Sequence, residues 1–168
     1  MSKSKIIALT GLIITVFLLA SFTQAVAATM KFRVVFFHTK VEIIKVEDVE
    51  GHIMGVGEST GLASLETGEV AVVAINWNLD YTKGTGTTVG YWHLTFEDGS
   101  TIDIKGLATA RPDPKGKGTL FKGTAEVYQG SGRYAGIKGN DTLTGQRVAP
   151  IDVKAQLYFD HIITYTLP

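Results

Sequence analysis

The strongest constraint in this chain is the step at which its apolar residues recur. Ala71, Val73, Ile75, Trp77, Leu79 and Tyr81 stand at every second position. Near the C-terminus Ala155, Leu157, Phe159, His161, Ile163 and Tyr165 repeat the pattern, and Phe32, Val34 and Phe36 begin it. A step of two belongs to extended backbone, where successive side chains point to opposite faces. No segment beyond the N-terminal run carries a convincing helical period, so the chain reads as all-β.

The punctuation between these runs supplies a layout. Strand-like stretches cover residues 32–37, 41–46, 48–58, 69–81, 88–96, 101–109, 119–128, 141–148 and 153–167, nine short stretches that make up about eight strands, with 69–81 read as the longest. Glu97-Asp98-Gly99-Ser100 marks a hairpin turn, and the prolines and glycines of residues 111–118 mark a loop. Gly51, Gly55 and Gly57 inside a strand-like stretch point to bulges or tight bends. Short strands at regular spacing predict a closed barrel or a sandwich. An eight-stranded antiparallel barrel has an interior that side chains fill or that holds one small ligand. Residues 70–75 are apolar on both faces, which predicts cover on the outer side and marks the place to look for a subunit contact.

The N-terminus reads differently. Lys3 and Lys5 precede an apolar run over residues 6–22, and Ala25-Val26-Ala27 fits the small-x-small rule of signal peptidase. Residues 1–27 are therefore expected to be a cleaved signal peptide and 28–168 a single exported domain, secreted or periplasmic, with no stable membrane anchor after cleavage. The competing reading is an uncleaved anchor, which sends the domain across the membrane in the same direction. Loss of the two lysines leaves 14 basic residues against 16 acidic ones. A nearly neutral domain with no basic cluster has no electrostatic footprint for nucleic acid. The 168 residues contain no cysteine, which removes disulfides and thiol chemistry and leaves stability to the core.

Several motifs carry less than they first suggest. Gly139-Asn-Asp-Thr-Leu-Thr-Gly145 has the form of one turn of a calcium-binding nonapeptide repeat, with Asn140 and Asp141 as ligands, yet such repeats hold ions between stacked turns and there is one copy. The glycines of residues 130–139 precede a strand rather than the helix a phosphate loop requires. Asn140-Asp-Thr142 has the form of a glycosylation acceptor. His38, His52, His93 and His161 show no zinc-like spacing, no nucleophile elbow is present, and nothing in the sequence calls for a cofactor. His161 and His38 nevertheless fall in apolar registers, where a buried imidazole acts as a base, orients a carbonyl, or is satisfied by a neighbouring hydroxyl. Glu58 shares a face with His52, Met54 and Val56; turned inward it would be a candidate acid or base, turned outward an ordinary surface charge. Trp77, Tyr81, Phe159 and Tyr165 are candidates to line a cavity or to fill a core.

Gly68-Glu-Val-Ala-Val-Val-Ala-Ile75, Tyr91-Trp-His-Leu-Thr-Phe-Glu-Asp-Gly99, Gly130-Ser-Gly-Arg-Tyr-Ala-Gly136 and Gln156-Leu-Tyr-Phe159 resemble segments of the allene oxide cyclase family and, more distantly, of dirigent proteins. The resemblance implies an eight-stranded antiparallel barrel with an apolar cavity, often a trimer, that binds a hydrophobic small molecule. In the cyclase the cavity steers ring closure of a fatty-acid epoxide by holding one conformer, a form of catalysis by positioning. The cyclase's early Glu and Pro have no counterpart in residues 36–43, and its cavity Cys has none anywhere in the chain. The expectation is thus a barrel enclosing a small hydrophobic molecule, with isomerase or cyclase activity through His161, His38 or Glu58, assembled as a trimer or dimer. The alternatives are a non-catalytic barrel for a lipid-like ligand or for assembly alone, and, more weakly, a calcium-dependent surface module.

Overall fold

A computed structural model describes residues 26–116, 118–152 and 154–168. The signal peptide expected at residues 1–27 lies almost wholly outside the described residues. The chain forms a closed antiparallel barrel of eight strands in sequential order. The strands are β1 (Ala28–Lys45), β2 (His52–Leu65), β3 (Val70–Thr82), β4 (Thr85–Phe96), β5 (Thr101–Pro112), β6 (Thr119–Ser131), β7 (Lys138–Arg147) and β8 (Gln156–Thr166). Pairing of β1 with β8, from Ala28 opposite Tyr165 to Phe37 opposite Gln156, closes the cylinder and leaves no free edge along that seam.

The alternation foreseen on β3 holds through the whole strand: Ala71, Val73, Ile75, Trp77, Leu79 and Tyr81 are buried and their neighbours are exposed. The interior is the core, and charges such as Arg33, Glu58 and Asp160 stand outside. Val35, Leu62 and Val72 lie side by side on the outer face of β1, β2 and β3 and are all exposed.

Three boundaries differ from the sequence reading. Residues 32–37 and 41–45 belong to one strand of 18 residues, which makes β1 rather than β3 the longest. A bulge leaves Thr39 without a partner on β2, because His38 faces Ser59 while Lys40 faces Glu58. The extra residue moves the inward register from even to odd numbers, so one strand imitates two in the sequence. The stretch read as 48–58 starts at His52 and continues to Leu65. The last strand begins at Gln156.

Two ends can be told apart from the topology. The β2–β3, β4–β5 and β6–β7 connections cluster at one end. There the glycine-rich connection after β6 makes a single 3-10 turn, Gly132–Tyr134, and drives Tyr134 and Ile137 into the barrel. Arg133 covers this plug, its guanidinium 4.9 Å from the ring centres of both Phe96 and Tyr134 and paired with Glu69 at 2.5 Å. The β1–β2, β3–β4, β5–β6 and β7–β8 connections gather at the other end, where the interior is less completely filled.

Candidate ligand cavity

The space at this second end measures about 50 Å³. Its floor is aromatic. Trp92 meets Phe36 and Phe159 edge-on with ring centres 5.5 and 5.3 Å away, and Phe121 packs on Phe159 at 5.2 Å. Trp77, Tyr81, Leu157 and Ile151 complete much of the wall. The indole of Trp77 has room because residue 57 is glycine: a Cβ there would lie 2.2 Å from Trp77 Cζ2. A cavity of this size admits a few water molecules or a small organic molecule, and lies well below the ~300–1,000 Å³ typical of drug-sized ligands.

Polar groups stand at defined points in this apolar wall. His38 Nδ1 lies 2.8 Å from Ser59 Oγ, and Trp77 Nε1–H donates to the same oxygen at 3.0 Å. Ser59 accepts from the indole; we assign its own proton to the hydrogen bond with Nδ1, an assignment that puts the proton of the neutral imidazole on Nε2. That Nε2 has no hydrogen-bond partner. Burial, aided by the nearby Arg147 cation, lowers the His38 pKa to about 4, so the ring is neutral at pH 7. The Tyr81 hydroxyl bonds to Thr88 Oγ1. Burial raises the Tyr81 pKa, against the opposing effects of Thr88 and Arg147.

Arg147, the last residue of β7, is 6% exposed and lines the cavity. Its Nε–H donates to the Ala149 carbonyl at 3.0 Å, and its Nη2 donates to Thr119 Oγ1 at 2.8 Å. Among the described residues no carboxylate lies within ion-pair distance of it. Burial pulls its pKa down from the usual guanidinium range, and the Tyr81 phenol offsets part of that. The sequence reading passed over Arg147, although the signal was present: it shares the inward step of two with Asp141 and Leu143.

The other sequence candidates fall elsewhere. His161 does face inward and is 1% exposed, but it sits one layer below the aromatic floor and does not line the cavity. It stacks on Phe32 at 4.7 Å, meets Trp92 edge-on at 4.8 Å, and its Nδ1 lies 2.5 Å from Asp141 Oδ2. The other Asp141 oxygen accepts the Ile162 amide at 3.1 Å. Asp141 is therefore occupied inside the barrel, and Gly139-to-Gly145 is the body of β7 rather than a turn, which removes the calcium reading. Glu58 is exposed on the outer face beside β3, where it cannot reach the interior. Tyr165 is partly buried near the plugged end, opposite Ala28 and Gly139, and takes no part in the cavity. Of the named candidates, the structure brings together His38, Trp77, Tyr81 and Phe159. Comparison of the sequence with models of known protein families found no match, and comparison with curated protein sequences found none either.

Proposed function

We propose that this chain is an exported barrel that binds a small hydrophobic molecule at the end of its interior. One observation carries the reading: an aromatic-floored apolar cavity into which a few polar groups, those of His38, Tyr81 and Arg147, are set. A concave apolar wall with sparse fixed polar groups is the usual chemistry of a small-molecule site. Export rests on Lys3, Lys5 and the apolar run that follows them. The size of the space narrows the ligand to a molecule of few heavy atoms, smaller than the fatty-acid substrate that the family resemblance implies.

Binding fits the cavity better than turnover does. The imidazole at its wall has a pKa of about 4, too low for an efficient general base near neutrality. Isomerisation or cyclisation by conformer selection is the enzymatic form of the same reading, since it asks only for a shaped wall. The exposed row Val35, Leu62 and Val72 supports the further expectation that copies of the chain associate through β1–β3, which the solution mass of the purified protein tests.

The cavity also carries its own probe. The chain contains two tryptophans, and both Trp77 and Trp92 line the space. Titration with a series of n-alkanols should perturb their fluorescence. Affinity should rise about fourfold per added methylene (~0.8 kcal/mol) and then fall once the chain outgrows the cavity. A series that leaves both the fluorescence and the indole NMR signals unchanged at every length would refute the reading.

A further inference from the structure

The polar equipment of the cavity is one-sided. Arg147 is a permanent cation, more than nine-tenths buried, and no carboxylate answers it among the described residues. Its partners are neutral oxygens: the Ala149 carbonyl on Nε, Thr119 Oγ1 on Nη2, and the Tyr81 phenol, which is also within hydrogen-bond reach of the guanidinium. A guanidinium offers five N–H donors in a fixed fork, more than these three partners use. The second buried donor is His38 Nε2–H, which has no acceptor. Natural interiors leave few such groups unmatched, because an isolated buried charge is costly unless it is paired.

The hydrogen bonds around His38 set the direction of this asymmetry. Trp77 donates to Ser59, and with the Ser59 proton assigned to the hydrogen bond with Nδ1 the wall presents a hydrogen rather than a lone pair at Nε2. Tyr81 bonds to Thr88 and is within both the charge and the hydrogen-bond reach of Arg147. An apolar space edged by a cation and neutral donors complements a ligand with an apolar body and one anionic acceptor end.

We propose that the cavity selects small hydrophobic acids, with the ligand's carboxylate received by the Arg147 guanidinium and its hydrocarbon end resting on Trp92 and Phe159. The inference deepens the binding reading above and rests on it. Charge-assisted, forked contact of a carboxylate with a buried arginine is both strong and directional.

The test compares pentanoate with pentanamide, a neutral partner of nearly the same shape, at pH 7.5, where the acid is ionised. Binding to the purified full chain is followed by tryptophan fluorescence and by calorimetry. The expected result is at least about tenfold tighter binding of the acid. Arg147→Gln should erase the preference for the acid over the amide, and Arg147→Lys should keep part of it. Equal binding of acid and amide by the unaltered protein would overturn the anion inference and leave the cavity reading standing. An acid preference that survives Arg147→Gln would overturn the assignment to Arg147. Failure of both compounds to bind would remove the cavity reading and the inference together. If Arg147→Gln does not fold, the acid-to-amide ratio of the unaltered protein and of Arg147→Lys decides the matter.

Discussion

At the scale of single residues, the interior is held by a few buried polar atoms with specific partners. Ser59 serves two of them at once, so Ser59→Ala strands His38 Nδ1 and Trp77 Nε1 together. Each buried unsatisfied group costs about 1–3 kcal/mol, and chemical denaturation should show a loss of roughly 2–4 kcal/mol for this substitution. His38 should also make stability depend on pH. Its folded pKa of about 4 lies below its ordinary value of 6.5, so the unfolded chain takes up the proton first. The contribution is complete above pH 6.5 and is lost as pH falls from there to about 4. Its ceiling is about 3 kcal/mol, reduced by the nearness of solvent at this end of the barrel. Denaturation of the unaltered protein and of His38→Phe at a series of pH values should show a smaller acid loss in the variant; identical slopes would contradict the assignment. The Asp141–His161 pair sets a third expectation. Asp141→Ala alone should cost about 3–5 kcal/mol, and Asp141→Leu with His161→Phe should recover most of it, because an apolar pair of similar volume avoids desolvating the original groups.

At the scale of elements, the strands were legible wherever a single register ran unbroken. β3 is the clearest case, since each residue from Val70 to Thr82 faces the way its step of two predicts. β1 was misread as two strands because its bulge at Thr39 reverses the parity. The turn between β3 and β4 was invisible for another reason. It is a two-residue turn, Lys83-Gly84, with φ of 52° and 80°, where Asn-Gly would have announced a hairpin. Lysine at positive φ is strained, so Lys83→Asn should stabilise the protein by about 0.5–1 kcal/mol, measured as a raised thermal midpoint. The exposed Lys83–Glu50 ion pair lost in that change contributes little. The site was legible in part. His38, Trp77, Tyr81 and Phe159 lay in apolar registers that could be counted from the sequence. Arg147 is countable the same way, since it lies on the inward face of β7 with Asp141 and Leu143. Glu58 and Tyr165 show the limit of counting: period two gives the face of a strand, not the height in the barrel, and which face is inward depends on every bulge before it.

At the scale of the whole molecule, the account is of a cylinder closed at one end and unfilled at the other. Tyr134 and Ile137 plug the first end beneath Arg133. The aromatic floor of Phe36, Trp92 and Phe159 divides the interior, with the Asp141–His161 pair sealed below it and the cavity above it. Function as a binding barrel requires a stable, apolar, accessible space above that floor. The most direct measurement is a crystal structure of the protein under xenon pressure, because xenon enters dry apolar cavities without needing a chemical handle. The account predicts a xenon site among Trp77, Trp92, Leu157 and Phe159; a well-ordered barrel with no xenon in its interior would contradict it.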